Sequence, residues 1–205
     1  MTAQRHDPRP IVAFDFDGTL TVADSFTNFL KDRLGVVWPL RWSRLAPDAF
    51  AYAFHRDRGR IKAAAVNAFL RGMERRRLEE AAEAFCDKVW DRFMRPDALA
   101  CWNDWRSKGA RLIIVTASPD LTVGPFARRL GADDLLGTQL AFDARDRVTG
   151  AFACDNCRGP EKVRRLEALL GPDFDLEAAY GDTSGDTEML ERARTPGYRL
   201  FTARP

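Results

Sequence analysis

IVAFDFDGTL, residues 11–20, is the stretch that decides the fold. Its apolar start predicts a short buried strand that ends at Asp15 and breaks at Gly18. Asp15 and Asp17 stand two residues apart, so in an extended chain both carboxylates project to one side. The stretch therefore predicts a buried strand whose carboxyl end presents a pair of acidic groups.

The part of the chain that follows has the periodicity of helices. Behind a capping position at Asp24 or Ser25, apolar residues recur at helical spacing until Gly35 ends the run. Prolines interrupt the next, aromatic-rich segment, which predicts one broken helix or two shorter ones there. The predicted helical segments are 24–34, 38–54, 61–70 and 78–93. Residues 23–95 are thus predicted to form an all-helical cap, inserted after the first strand.

After Pro96 the pattern changes to an alternation of helices and strands. The predicted strands are 112–115, 176–180 and 198–201, the predicted helices are 99–105, one opening at 118–119, 160–170 and 188–193, and a hairpin is predicted from 139–142 and 148–152. Such alternation predicts a doubly wound α/β fold, a mostly parallel sheet with helices on both faces. Residues 1–22 plus 96–205 are then the core domain, which also carries the small β-hairpin.

The composition fits a folded chain with one core domain and a smaller inserted one. The chain has 205 residues, of which 45% are hydrophobic, and its formal net charge is +2. So small a net charge gives no field that would favour nucleic acid as a partner. The polar opening residues lack a signal-peptide core, and no window approaches the ~20 apolar residues of a membrane helix. We therefore expect a soluble, cytoplasmic protein.

Two of the four cysteines, Cys154 and Cys157, stand close in sequence. This spacing is typical of half a zinc site or of a redox pair. A closed zinc site needs a second pair of soft ligands, and a redox pair is expected at a helix start after a strand. Because neither context is clear, we expect reduced, non-catalytic cysteines.

Polar residues follow several of the predicted strands at the point where each strand ends. They are Asp15, Asp17 and Gly18 after the first strand, Thr116 after the second, Lys162 at a helix start, and Asp182 and Asp186 after the strand that ends at Tyr180. In open parallel sheets, ligands bind outside the carboxyl ends of the strands. We therefore expect these side chains to meet in one site.

Paired aspartates suit phosphoryl transfer. An ionised carboxylate such as Asp15 can attack phosphorus and form an aspartyl-phosphate, while Asp17 protonates the leaving alcohol and then activates water. Because the attacking group and the phosphate are both negative, a cation is required, and Mg²⁺ takes oxygen ligands such as those of Asp15 and Asp182. The sequence predicts a magnesium-dependent phosphatase.

The remaining polar residues suit supporting roles. Lys162 would place a positive charge on the transferring phosphate, although a solvated lysine in a helix's first turn is the alternative. Thr116 would donate a hydrogen bond to the phosphate, with Ser118 as a rival donor. Gly18 would allow a tight turn that frees backbone amides for phosphate oxygens. Asp186 would hold the lysine or a metal-bound water.

These motifs resemble those of haloacid dehalogenase superfamily phosphatases. The matching segments are DFDGTL at 15–20, IIVT at 113–116, Lys162 and GDTSGD at 181–186. The helical insertion resembles the cap of the phosphoserine-phosphatase-like branch, and VTASP with CRGPEKV looks like its subgroup containing phosphatidylglycerophosphatase C. The resemblance implies a Rossmann-like core and a catalytic Mg²⁺. It implies these roles: nucleophile Asp15, acid/base Asp17, phosphate binders Thr116 and Lys162, and magnesium ligands Asp15, the Asp17 backbone carbonyl and Asp182.

The identity of the leaving group is left open by these motifs. We expect a small phosphorylated metabolite; a lipid phosphate of the phosphatidylglycerophosphate type is an alternative, because aromatic residues are frequent at 38–54. Gly185 and Asp24 stand where phosphoserine phosphatases carry Asn and Glu, which weakens a phosphoserine assignment. The cap arginine of those enzymes could be replaced here by Arg60, Lys62 or Arg71. Phosphotransfer to a sugar would use the same nucleophile and metal site, and a regulatory module that binds phosphate without turnover is a hypothesis of a different class.

Overall fold

The computed structural model describes residues 9–37 and 58–205, so the helices and aromatic group predicted at 38–54 lie outside the described residues. Its centre is a five-stranded parallel sheet in the order β3-β2-β1-β6-β7. The strands are β1 Ile11–Phe14, β2 Arg111–Pro119, β3 Asp134–Thr138, β6 Leu176–Gly181 and β7 Ala193–Tyr198. Two further strands, β4 Leu140–Phe142 and β5 Val148–Phe152, pair antiparallel. The predicted α/β fold with its hairpin is confirmed.

Helices surround this sheet. They are α1 Ser25–Leu34, α2 Arg58–Phe69, α3 Arg75–Phe93, α4 Pro96–Ser107, α5 Asp120–Leu130, α6 Pro160–Leu170 and α7 Thr187–Glu191. Asp24 caps α1 by accepting a hydrogen bond from the Thr27 backbone N–H at 2.7 Å, and Gly35 ends that helix at φ 51°. No helix in the described ranges combines the length and the apolar character needed to cross a bilayer.

Alternate residues of the central strands belong to two separate hydrophobic clusters. Val12 and Phe14 of β1 pack into one cluster, whereas Ala13 between them packs into the other, with Ile113 of β2 beside it. Because successive strand residues point to opposite faces, the sheet is buried on both sides. This is why the strands read as continuous apolar runs.

The larger cluster also includes helices of the predicted cap. Phe29 of α1 lies 5.7 Å from Phe85 of α3, and Phe85 lies 6.1 Å from Phe126 of α5, measured between ring centroids. Edge-to-face rings at these separations add to the free energy of burying the surface itself. The described cap helices α1 and α3 therefore share one core with the sheet. The division of the chain at 23 and 95 stays a prediction.

The five-stranded sheet differs most from the predicted one in three places. The last strand is Ala193–Tyr198 rather than 198–201, strand β3 was not predicted at all, and β2 continues to Pro119, so α5 begins later than expected. β3 and β7 are the edge strands of the sheet, and most β7 side chains are exposed. An edge strand pairs through its backbone and tolerates a proline such as Pro196. Its sequence therefore lacks the apolar alternation by which buried strands are predicted.

Candidate active site

The carboxyl ends of β1, β2 and β6 meet at one edge of the sheet. Phe14 is in register with Ile114 of β2 and with Tyr180 of β6, so the residues that follow each strand lie side by side. The backbone N–H of Asp15 donates to the Tyr180 carbonyl at 2.8 Å, which extends the pairing by one residue. A pocket of about 80 Å³ opens here. Every predicted site residue except Gly18 lines it: Asp15, Asp17, Thr116, Lys162, Asp182 and Asp186.

Lys162 is a buried ammonium group and not a solvated one, because only 1% of its surface is exposed. From the first turn of α6 its Nζ donates to Asp15 Oδ1 at 2.6 Å, to Asp186 Oδ1 at 2.7 Å and to the Val115 carbonyl at 2.6 Å. Burial lowers the pKa of Lys162, but the facing carboxylates of Asp15 and Asp186 raise it by more. The lysine therefore stays charged, and all three of its N–H donors are used.

Asp15 sits at the bottom of the pocket with 7% of its surface exposed. Burial raises the pKa of Asp15 to about 7, and Lys162 opposes this rise. Its Oδ2 accepts a hydrogen bond from the Thr19 hydroxyl at 3.4 Å. Carboxylate oxygens of Asp15, Asp182 and Asp186 lie within 4.8 Å of one another. Three acidic groups at such spacing repel one another unless cations are present.

The acidic cluster fits a magnesium ion. Asp182 Oδ1 is buried and has no hydrogen-bond partner, a costly arrangement that a cation would relieve. Asp186 is already engaged, since its Oδ1 accepts from Lys162 and its Oδ2 accepts from the backbone N–H and hydroxyl of Thr183 at 2.9 and 3.0 Å. Asp15 and Asp182 therefore offer oxygen ligands of the kind Mg²⁺ prefers, while Asp186 holds the lysine.

The Asp17 carboxylate lines the same pocket but is not part of the acidic cluster. Its Oδ1 accepts a hydrogen bond from the Ser25 backbone N–H at 2.7 Å, and its Oδ2 accepts one from the Ser118 hydroxyl. Burial raises the pKa of Asp17, and the neighbouring Asp24 carboxylate raises it further. A carboxyl group with a raised pKa can carry a proton near neutral pH. For Asp17, the predicted magnesium ligand is the backbone carbonyl and not the side-chain carboxylate.

Lys62 of the cap helix α2 reaches into this part of the site. Its Nζ donates to Ser118 Oγ at 3.0 Å and lies 3.3 Å from Asp24 Oδ2 and 3.8 Å from Asp17 Oδ2. Burial raises the pKa of Asp24, but the Lys62 charge and the hydrogen bonds from Thr27 together lower it by more. The sequence indicated Lys62 only as one of three cap cations, and Ser118 only as a rival of Thr116. Their contacts with Asp17 were missed.

Thr116 faces the pocket, whereas Gly18 does not line it and its backbone N–H donates to Thr21 Oγ1 at 3.3 Å. Thr116 is 1% exposed, lines the pocket, and accepts the Ser118 backbone N–H at 3.1 Å through its Oγ1, so its own proton is available to a ligand. Gly18 has φ 87°, and a Cβ there would lie 2.3 Å from Asp182 Oδ2. Only glycine permits both this backbone conformation and the approach of Asp182.

The two close cysteines lie in the loop before α6. Cys157 is buried, and burial raises the pKa of its thiol to about 11. Cys154 accepts hydrogen bonds from Arg165 Nη2 at 3.0 Å and from the Gln139 backbone N–H at 3.2 Å. In the described part of the chain, one group of three or more side chains could hold a metal ion, and it consists of Asp15, Asp182 and Asp186 without either cysteine. The expectation of reduced, non-catalytic cysteines stays a prediction.

A comparison with protein families agrees with the motifs. Residues 12–191 match the model of the haloacid dehalogenase-like hydrolases. The chain belongs to this family. It is also 54% identical over 200 residues to Protein CicA of Caulobacter vibrioides, an alignment that covers 98% of this chain and 90% of that protein. The predicted family membership is confirmed, and so is its class, a hydrolase.

Solved structures of low sequence identity share the fold. A protein of unknown function from Bordetella pertussis Tohama I superposes with a TM-score of 0.77 at 22% identity, covering 93% of this chain and 89% of that one. A substrate-bound phosphoserine phosphatase superposes with a TM-score of 0.63 at 17% identity, covering 94% and 86% of the two chains. At these identities the likeness concerns the fold alone.

Proposed function

We propose that the protein is a magnesium-dependent phosphomonoester hydrolase that acts on a small phosphorylated metabolite through an aspartyl-phosphate. One observation carries the proposal. The buried Lys162 bridges Asp15 and Asp186, next to an Asp182 oxygen that is buried without a partner. This arrangement supplies a fixed nucleophile, a positive charge beside it and free oxygen ligands for a cation. Phosphoryl transfer to a carboxylate needs these three components.

In the first half-reaction, a carboxylate oxygen of Asp15 forms a bond to phosphorus while the bond from phosphorus to the ester oxygen breaks. Lys162 fixes Oδ1 of Asp15 at 2.6 Å, so the attacking group cannot rotate freely. Thr116 donates a hydrogen bond to a phosphoryl oxygen. Mg²⁺, held by Asp15, Asp182 and the Asp17 backbone carbonyl, would supply the positive charge that offsets repulsion between carboxylate and phosphate.

Asp17 handles the protons of both half-reactions. It gives a proton to the departing ester oxygen, and then takes one from the water that attacks phosphorus and breaks the bond to Asp15. The Ser25 N–H and the Ser118 hydroxyl fix the orientation of this carboxyl group. Its raised pKa favours the protonated form that the first half-reaction requires. Inorganic phosphate is the product.

The proposal is tested by phosphate release from p-nitrophenyl phosphate with Mg²⁺ and with EDTA. Asp15→Asn should lower kcat at least about a thousandfold, because it removes the nucleophile. Asp146→Asn is the matched control, since Asp146 is exposed and pairs with Arg75 away from the pocket. Release by Asp15→Asn at the wild-type rate, or release that EDTA leaves unchanged, would refute the proposal.

A second measurement separates turnover from a regulatory role. Beryllium fluoride with Mg²⁺ should bind to wild type and fail to bind to Asp15→Asn, because the adduct mimics a phosphorylated carboxylate. A binding module without turnover would form the adduct and release no phosphate from any ester. Binding together with Mg²⁺-dependent release identifies the enzyme.

A further inference from the structure

The cationic side chains that line the pocket differ in how far they are paired with acidic groups of the protein. Lys162 uses all three donors on protein acceptors, and Lys62 lies against Asp24. Arg158 lines the same pocket, where its Nη2 donates to the Ser184 hydroxyl at 3.0 Å. Within residues 9–37 and 58–205, no carboxylate lies within ion-pair distance of Arg158. Arg158 is therefore the cation of the described wall that has no carboxylate partner among these residues.

Gly185 creates the space in which Arg158 lies. A Cβ on Gly185 would stand 2.3 Å from Arg158 Nη1 and 2.7 Å from its Cγ and Cζ. Gly185 is not among the glycines with positive φ, so its backbone does not require glycine. The close approach of the Arg158 side chain does require it. The position of the Arg158 side chain at the pocket wall thus depends on glycine at position 185.

We propose that Arg158 binds a second anionic group on the leaving-group side of the substrate. This inference rests on the proposed phosphatase function and names its substrate class: phosphate monoesters that carry a further carboxylate or phosphate. Arg158 contacts the exposed Ser184, whereas Asp15 is nearly buried, so a phosphoryl group at Asp15 leaves the outer part of the substrate facing Arg158.

The charges in the pocket explain why a separate cation is needed. Its described lining contains five aspartates against three cations, Lys62, Arg158 and Lys162. A second anion entering this acidic wall is repelled unless it meets a positive charge with free donors. Among the described residues Arg158 donates to Ser184, and the other N–H groups of its planar guanidinium have the geometry that carboxylates and phosphates accept. Arg158 therefore selects for the second anion.

Matched substrate pairs test this selection. The pairs are 3-phosphoglycerate against glycerol 3-phosphate, and propane-1,3-diol bisphosphate against propyl phosphate. For wild type, the ratio of kcat/KM within a pair should favour the doubly anionic ester. Arg158→Ala should lower that ratio about 10- to 100-fold, the range of a hydrogen bond between charged groups. A larger fall of the ratio for the first pair identifies carboxylate as the preferred second anion, and a larger fall for the second pair identifies phosphate.

Gly185→Ala tests the same contact without removing the charge. The added Cβ displaces the Arg158 side chain, so the ratio should fall as in Arg158→Ala, and the double variant should show no further fall. Arg164→Ala is the control, because Arg164 is an exposed arginine of the helix that follows Arg158 and pairs with Glu161. It should leave the ratio unchanged.

Two results would overturn the inference. Arg158→Ala could lower both members of each pair equally, which would place the guanidinium on the transferring phosphoryl group. The ratio could also be the same in wild type, Arg158→Ala and Gly185→Ala, which would leave Arg158 without a role in selection. Both results are measured on a wild-type protein that turns over substrate through Asp15. Failure of the proposed function is a different result, because Asp15→Asn would then release phosphate at the wild-type rate.

Discussion

Replacing Lys162 by methionine removes the charge at the centre of the site and keeps the length of the side chain. The Lys162 ammonium group is buried and its three acceptors are the carboxylates of Asp15 and Asp186 and the Val115 carbonyl. After Lys162→Met, two buried carboxylates and a carbonyl lose a donor. Removing one partner of a buried ion pair costs about 3–5 kcal/mol, and we expect the free energy of unfolding to fall by this amount.

The assay is urea unfolding at pH 7 in EDTA, followed by circular dichroism. Lys108→Met is the control, because Lys108 pairs with Asp104 at 2.7 Å while 54% of its side chain is exposed. An exposed pair contributes under about 1 kcal/mol. If Lys162→Met lowers the free energy of unfolding no more than Lys108→Met does, the buried bridge is not present in solution and the reasoning is refuted.

The pH dependence of the same variant gives an internal check. The carboxylates raise the pKa of Lys162 in the folded protein. Its contribution to stability is therefore fully present below about pH 10.4, the ordinary pKa of lysine, and is lost as the pH rises through the folded value. The deficit of Lys162→Met should be largest between about pH 8 and pH 10, where Asp15 is ionised and Lys162 is charged, and should shrink at strongly alkaline pH. It should also shrink as the pH falls through about 7, because burial raises the pKa of Asp15 to about 7 and the protonated carboxyl group no longer pairs with the ammonium group.

Further predictions concern the metal ligand, the turn and the acid/base. Burial raises the pKa of Asp182, so its ionised form destabilises the folded protein at pH 7, and Asp182→Asn should raise the free energy of unfolding in EDTA. The same variant should be stabilised less by Mg²⁺ than wild type is; equal stabilisation of both proteins by Mg²⁺ would contradict the prediction. Gly18→Ala should destabilise more than Gly109→Ala in urea unfolding. Both glycines have positive φ, which costs alanine about 1–2 kcal/mol, but only at Gly18 does a Cβ meet Asp182; equal losses would contradict the close approach. Ser118→Ala should lower kcat about two- to tenfold and shift the pH–rate profile, because Asp17 loses a donor; an unchanged profile would contradict the contact.

The residues at the strand ends could be predicted because two simple patterns coincide there. A continuous apolar run identifies a buried strand, and the polar residue that ends it must lie at the carboxyl edge of a parallel sheet. Asp15 and Asp182 follow this rule, because each comes directly after a strand, whereas Thr116 lies within β2. The register of β1 with β2 and β6 brings the three positions together. Lys162 was predicted from its place at a helix start and from the resemblance, and the structure adds its burial.

The contacts between cap and core could not be predicted in the same way. Lys62 lies in a segment where Arg60 and Arg71 carry the same charge, so the sequence does not indicate which one points into the pocket. Its approach to Ser118 depends on how α2 packs against the hairpin strand β5. The close approach of Arg158 to Gly185 is likewise a tertiary feature, since the two residues belong to different loops.

The two aspartates proposed to be catalytic, Asp15 and Asp17, differ in which part of the chain holds their side chains. Asp15 is fixed by Lys162, a core residue on α6, whereas Asp17 contacts Ser25 at the start of α1 and Lys62 on α2, both in the predicted cap. If the predicted cap moves, the hydrogen bonds and charges around Asp17 change, whereas the contact between Asp15 and Lys162 lies within the core. In the proposed mechanism, cap position would then act on proton transfer to the leaving group rather than on the attack on phosphorus.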